Sequence, residues 1–113
     1  MAICDEVETG DAEVIVVAFG SVARSAQRAV KEARARGIKA GLIRPATIWP
    51  FPEHVIRKYA GKARAFLVPE MNFGQLVLEV ERVAGGKSAV HPYNRVDSEI
   101  ITPTEILNAI KEV

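Results

Sequence analysis

Apolar residues in this chain change rhythm several times, and each change marks an element. Glu13 to Phe19 reads Glu-Val-Ile-Val-Val-Ala-Phe, a near-continuous β-branched run. Such a run marks a strand buried on both faces. After Gly20-Ser21, the residues Val22, Ala26, Ala29, Val30 and Ala33 recur at helical spacing, which predicts a helix over Val22 to Arg36 with a narrow, small-residue stripe. Gly37 stops it. Ile38 to Arg44 is a second strand. Pro52 opens a helix to Ala60, with Val55, Ile56, Tyr59 and Ala60 inward, and Gly61 ends it. Ala65 to Val68, continuing into Pro69-Glu70, is the third strand. A helix from Asn72 to about Ala84 follows, buried through Leu76, Val77, Val80 and Val83. Ser88 to Tyr93 is a shorter fourth strand, made irregular by Pro92. Thr102-Pro103-Thr104-Glu105 starts the last helix with a Thr cap, Pro at the first position and Glu at the third. Ile106, Leu107, Ile110 and Val113 form its apolar stripe.

Strand and helix alternate four times, which predicts an α/β fold: a parallel sheet with helices on both faces. The first strand is the most apolar and belongs at the centre. Residues before Asp11 are either a short edge strand or disordered. At 113 residues the expectation is one domain, 1–113, with no internal repeat or linker.

Composition narrows the function classes. A net charge of +1 argues against a nucleic-acid binder that relies on a global positive field. Cys4 is the only cysteine, so no internal disulfide or thiolate cluster can form. A reducing, cytoplasmic setting fits. No apolar run approaches membrane-spanning length, and the N-terminus does not read as a signal peptide. The outer face of the first helix carries Arg24, Arg28, Lys31, Glu32, Arg34 and Arg36, five cations and one acid. It is either solvated or the meeting place of an acidic partner.

Candidate chemistry is sparse. Gly20-Ser21 lies between a strand and a helix N-terminus, where α/β proteins bind anions, but a dinucleotide fingerprint needs further glycines. The pair is a turn and cap, or an anion site. Pro45-Ala46-Thr47-Ile48-Trp49-Pro50-Phe51-Pro52 spends three prolines on stiffness after the second strand begins to turn. Trp49 and Phe51 in it are core residues or interface anchors. In Glu70-Met71-Asn72-Phe73-Gly74-Gln75, Asn72 reads as a helix cap with Gln75 reaching back, and Glu70 suits the helix dipole. Capping requires neither Phe73 nor Gly74, which leaves partner contact open. His54 and His91 read as structural or surface residues; no His/Asp/Glu spacing resembles a metal site. Neither a nucleophile elbow nor a Walker loop in the right context is present.

Arg44-Pro45-x-Thr47-x-Trp49-Pro50-Phe51-Pro52, Pro69-Glu70-Met71-Asn72-Phe73-Gly74-Gln75-Leu76 and Thr102-Pro103-x-Glu105-Ile106 together resemble one family. It is the C-terminal, transketolase C-terminal-like domain of the α subunit of 2-oxoacid:ferredoxin oxidoreductases, nearest the 2-oxoglutarate type. The resemblance runs from Glu13 onward. It implies a three-layer α/β/α fold with strand order second, first, third, fourth, and an antiparallel edge strand from before Asp11. The switch point would fall between Gly20-Ser21 and Glu70-Asn72. The complete enzymes decarboxylate a 2-oxoacid oxidatively to an acyl-CoA, with thiamine diphosphate, magnesium and iron–sulfur clusters, and reduce ferredoxin. The thiamine-binding motif and cluster cysteines are absent here, so the resemblance implies no catalytic, cofactor or metal residue in this chain. Partners would be the remaining domains and subunits, with ferredoxin and CoA met through the complex, and no nucleic acid or membrane. A domain of a larger assembly leaves apolar surface bare, which predicts self-association at high concentration. An anion-, CoA- or nucleotide-binding module with its site at the switch point is the alternative.

Overall fold

The computed structural model describes residues 4–45, 52–70, 75–94 and 101–113. In chain order these form β1 (Cys4–Val7), β2 (Val14–Val17), α1 (Ser21–Ala35), β3 (Ala40–Pro45), α2 (Glu53–Tyr59), β4 (Ala65–Glu70), α3 (Gln75–Ala84), β5 (Ala89–Asn94) and α4 (Pro103–Glu112). The strands make one five-stranded sheet in the order β1-β3-β2-β4-β5. β2, β3, β4 and β5 are parallel. β1 runs antiparallel along β3, with Cys4 opposite Pro45 and Val7 opposite Leu42. The four sequence-predicted strands therefore take the expected order, and Cys4–Val7 resolves the open choice in favour of an edge strand.

β2 lies in the middle because it has no polar side to show. Val14 to Val17 are all buried, and alternate residues feed two separate cores. Val14, Val16 and Ala18 face the layer of α1 and α4, with Ile106, Leu107 and Ile110. Ile15 and Val17 face α2 and α3, with Ile56, Phe66, Leu76 and Val80. The small stripe of α1 works as the spacing suggested: Ala26, Ala29 and Ala33 are fully buried, which lets the helix lie close to both the sheet and α4.

Several boundaries differ by a residue. Pro52 caps α2 rather than opening it, so the helix starts at Glu53. Ala60, expected inward, is extended and only partly buried. Arg34 leaves the outer face of α1. Its guanidinium donates to Asp11 Oδ1 at 2.7 Å, to the Glu8 carbonyl at 2.7 Å and, through Nε, to the Ala40 carbonyl at 2.8 Å. One side chain thus ties the end of α1 to the β1–β2 connection and the start of β3. A second polar cluster fastens β1 to α2: the buried Tyr59 hydroxyl shares a hydrogen bond with Thr9 Oγ1 at 2.9 Å and donates to Glu6 Oε1. Lys58 Nζ lies 3.5 Å from the same Glu6 oxygen.

Candidate functional site

The parallel register decides what meets at the carboxyl edge of the sheet. Val17 lies beside Ile43, and Val16 beside Leu67. Gly20, Pro45 and Glu70 therefore leave adjacent strands at the same edge. Between β2 and β4 lies the crevice where doubly wound sheets bind ligands, because β2 sends its chain to α1 on one face and β4 sends its chain to α3 on the other.

Each segment reaches the edge for a local reason. Gly20 takes φ +66°, a conformation glycine adopts without strain, and α1 begins at the next residue. No side chain caps α1; Ala23 N instead donates to the Gly20 carbonyl at 3.1 Å. Ser21 is exposed. On the neighbouring strand, Arg44 Nη2 donates to Asp5 Oδ2 at 2.5 Å. Asp5, Gly20, Ser21, Arg24, Arg44 and Pro45 border an open basin of about 600 Å³.

Glu70 behaves differently from the exposed acids. It is 2% exposed at the end of β4, and its two carboxylate oxygens accept from Leu76 N at 3.2 Å and Val77 N at 3.1 Å. It thus satisfies first-turn amides of α3 that would otherwise lack partners, with the negative charge at the favourable end of the dipole. Sequence reasoning placed Glu70 near the dipole but missed this bonding, since a six- or seven-residue reach is longer than any local capping pattern. An acid closing a buried strand just before a helix is the signal that was available.

The structure thus brings Gly20, Ser21 and Glu70 to one edge. Trp49, Phe51, Asn72, Phe73 and Gly74 lie outside the described residues, so the expected Asn72 cap and the aromatic anchors do too. Gln75 is the first residue of α3. Arg24 and Arg44, which sequence reasoning did not single out for a site, supply the cations of the basin. The histidines stay apart from it, His54 exposed on α2 and His91 part-buried in β5. Burial, with Glu6 and Asp5 nearby, pushes the Cys4 thiol up to about 11, far from the reactive range. Among the described residues there is no cluster of His, Cys, Asp or Glu suited to a metal ion, and no helix long and apolar enough to cross a membrane.

Residues 12–106 match the family described as pyruvate:ferredoxin oxidoreductase core domain II. The 2-oxoglutarate synthase subunit KorA of Methanothermobacter marburgensis is 47% identical over 102 residues, which are 90% of this chain and 27% of that protein. The ketoisovalerate oxidoreductase subunit VorB of Methanothermobacter thermautotrophicus is 39% identical over 96% of this chain and 31% of its own length. The solved 2-oxoglutarate:ferredoxin oxidoreductase from Magnetococcus marinus, with 2-oxoglutarate, coenzyme A and succinyl-CoA bound, superposes on 99% of this chain with a TM-score of 0.81 and 28% identity, using 19% of its own chain. The chain therefore spans little more than a quarter of the curated relatives it matches. By sequence and by fold it belongs to the core domain II family of pyruvate:ferredoxin oxidoreductases, and within it resembles the α subunit of the 2-oxoglutarate type.

Proposed function

We propose that this chain is a non-catalytic assembly domain of a thiamine-diphosphate-dependent 2-oxoacid:ferredoxin oxidoreductase. The observation that carries the reading is the extent of the likeness: nearly all of this chain corresponds to 27% of a 2-oxoglutarate synthase subunit. In such an enzyme thiamine diphosphate, magnesium and iron–sulfur clusters would be held by parts outside this chain. This chain's own polar groups fit that division. The buried carboxylate at the switch point, Glu70, is bonded to two helix amides, and Arg44 is paired with Asp5. Neither is left to grip a metal-bound diphosphate, so no catalytic step runs through them. Their work is to hold the carboxyl edge in shape for neighbouring domains. Ferredoxin and CoA would be met through the whole complex, in the cytoplasm.

The test is reconstitution. Purified alone, the chain should not reduce methyl viologen with 2-oxoglutarate and CoA. Mixed with the other domains and subunits of its enzyme, it should restore that activity. Turnover by the chain alone would overturn the reading.

The basin beside Gly20 favours a second reading, an anion or CoA module. Two arginines and an uncapped helix start border it. Isothermal titration with CoA separates the two: micromolar binding that Arg24→Ala abolishes would support the module.

A further inference from the structure

Six of the fourteen arginines and lysines among the described residues are in ion pairs. Arg34, Arg36, Arg44, Arg57, Lys58 and Arg82 each meet a carboxylate. Arg24, Arg28 and Lys31 enter none of the ion pairs of the described residues, and all three are exposed on α1. Their spacing of four and three residues aligns them on one face over about 10 Å of helix. They line a shallow groove of about 570 Å³ that continues toward the carboxyl edge.

This arrangement works against the helix. α1 has no acid in its first turn and carries Arg24 there, at the end whose dipole disfavours a cation. Arg24 and Arg28 are a like-charged i,i+4 pair, and Lys31 adds a third cation. Folding gains nothing from the row. The one acid in the groove, Glu32, is paired with Arg36 at 3.5 Å, so the row gains most from negative charge supplied from outside.

We infer that this face of α1 docks an acidic segment of a partner protein, one presenting carboxylates at helical spacing. The charge complementarity is linear rather than convergent. Three long side chains along an open groove match a row of carboxylates, whereas a small phosphate is held by groups that surround it. The inference does not depend on which enzyme the domain serves.

The test uses a fluorescent helical peptide with Glu at positions i, i+4 and i+7 and a matched peptide with Gln there. Fluorescence anisotropy reads their binding to the whole chain at low and physiological salt. The Glu peptide should bind and the Gln peptide should not, with affinity falling as salt rises. R24Q/R28Q/K31Q should weaken binding about tenfold or more, and should melt at the same or a higher temperature. A control, K62Q/R64Q/K87Q, removes as much charge from other exposed positions and should keep the affinity. Equal loss in the control would reduce the effect to net charge and overturn the proposal. So would competition by inorganic pyrophosphate at the peptide's own concentration, equal binding of a single-stranded oligonucleotide, or a lower melting temperature of R24Q/R28Q/K31Q.

Discussion

At the scale of single residues, close approach and buried polarity set the sharpest constraints. A Cβ on Gly41 would sit 2.8 Å from the Glu8 carbonyl oxygen and 3.1 Å from Thr9 Cα, both backbone atoms that cannot swing aside. Gly41→Ala should therefore cost about 1–3 kcal/mol, as overpacking does, measured by urea unfolding. Glu70→Gln replaces one accepting oxygen with an amino group facing a backbone N–H. It should cost about 1–3 kcal/mol, the penalty of a buried donor without an acceptor. Glu81→Gln, on the exposed side of the same helix, should cost little by the same measurement. Gly41 does not stand out in the sequence, because the backbone it meets is distant along the chain; Glu70 does stand out, but its bonds to Leu76 and Val77 do not.

Element by element, the ends of the helices are legible to different degrees. α4 follows its sequence signature: Thr102 Oγ1 accepts from Glu105 N at 3.2 Å, with Pro103 at the first position. Thr102→Ala should cost about 0.5–2 kcal/mol, read as a lower melting temperature. The Glu105 carboxylate does something the capping pattern does not predict. It accepts from the Tyr93 hydroxyl at 2.8 Å, joining α4 to β5. The attachment of β1 to α2 carries a pH dependence. The Tyr59 hydroxyl, helped by Lys58, holds the Glu6 carboxyl below its ordinary range against the opposing effect of burial. A carboxyl lowered in the folded state contributes stability that is present above its unfolded pKa and lost as pH falls through the folded value. Tyr59→Phe should therefore flatten the fall in melting temperature between about pH 6 and pH 3. An unchanged slope would show that Glu6 has no part in it.

For the whole molecule, assembly is the question that matters. Two cores on opposite faces of one sheet give the domain its own interior, so the isolated chain should fold and unfold cooperatively. Under the proposed assembly role, its carboxyl edge would meet neighbours as a preformed surface. If the domain serves assembly, restoring subunits should raise its melting temperature, since a partner that binds only the folded state stabilises it. Differential scanning calorimetry with and without the other subunits reads this directly. No rise at concentrations that restore activity would place the stabilising contacts elsewhere.

Periodicity alone determined the alternation of strand and helix, the central place of Glu13 to Phe19 and the small-residue face of α1. These follow from burial along a local stretch, and a sequence records burial as a pattern of apolar residues. The proline-rich and Asn-Gly segments pointed to the family, and with it to the strand order. The resemblance also implied the antiparallel edge strand; tertiary structure alone decided that its partner is β3, that Arg34 turns back from solvent to Asp11, and that Glu70 binds the amides of α3. Each of these joins polar groups far apart in sequence, through geometry that exists only once the sheet has set its register. The same holds for the row of Arg24, Arg28 and Lys31. Its charges are plain in the sequence, but that they enter no ion pair is known only after every neighbouring carboxylate has found its place.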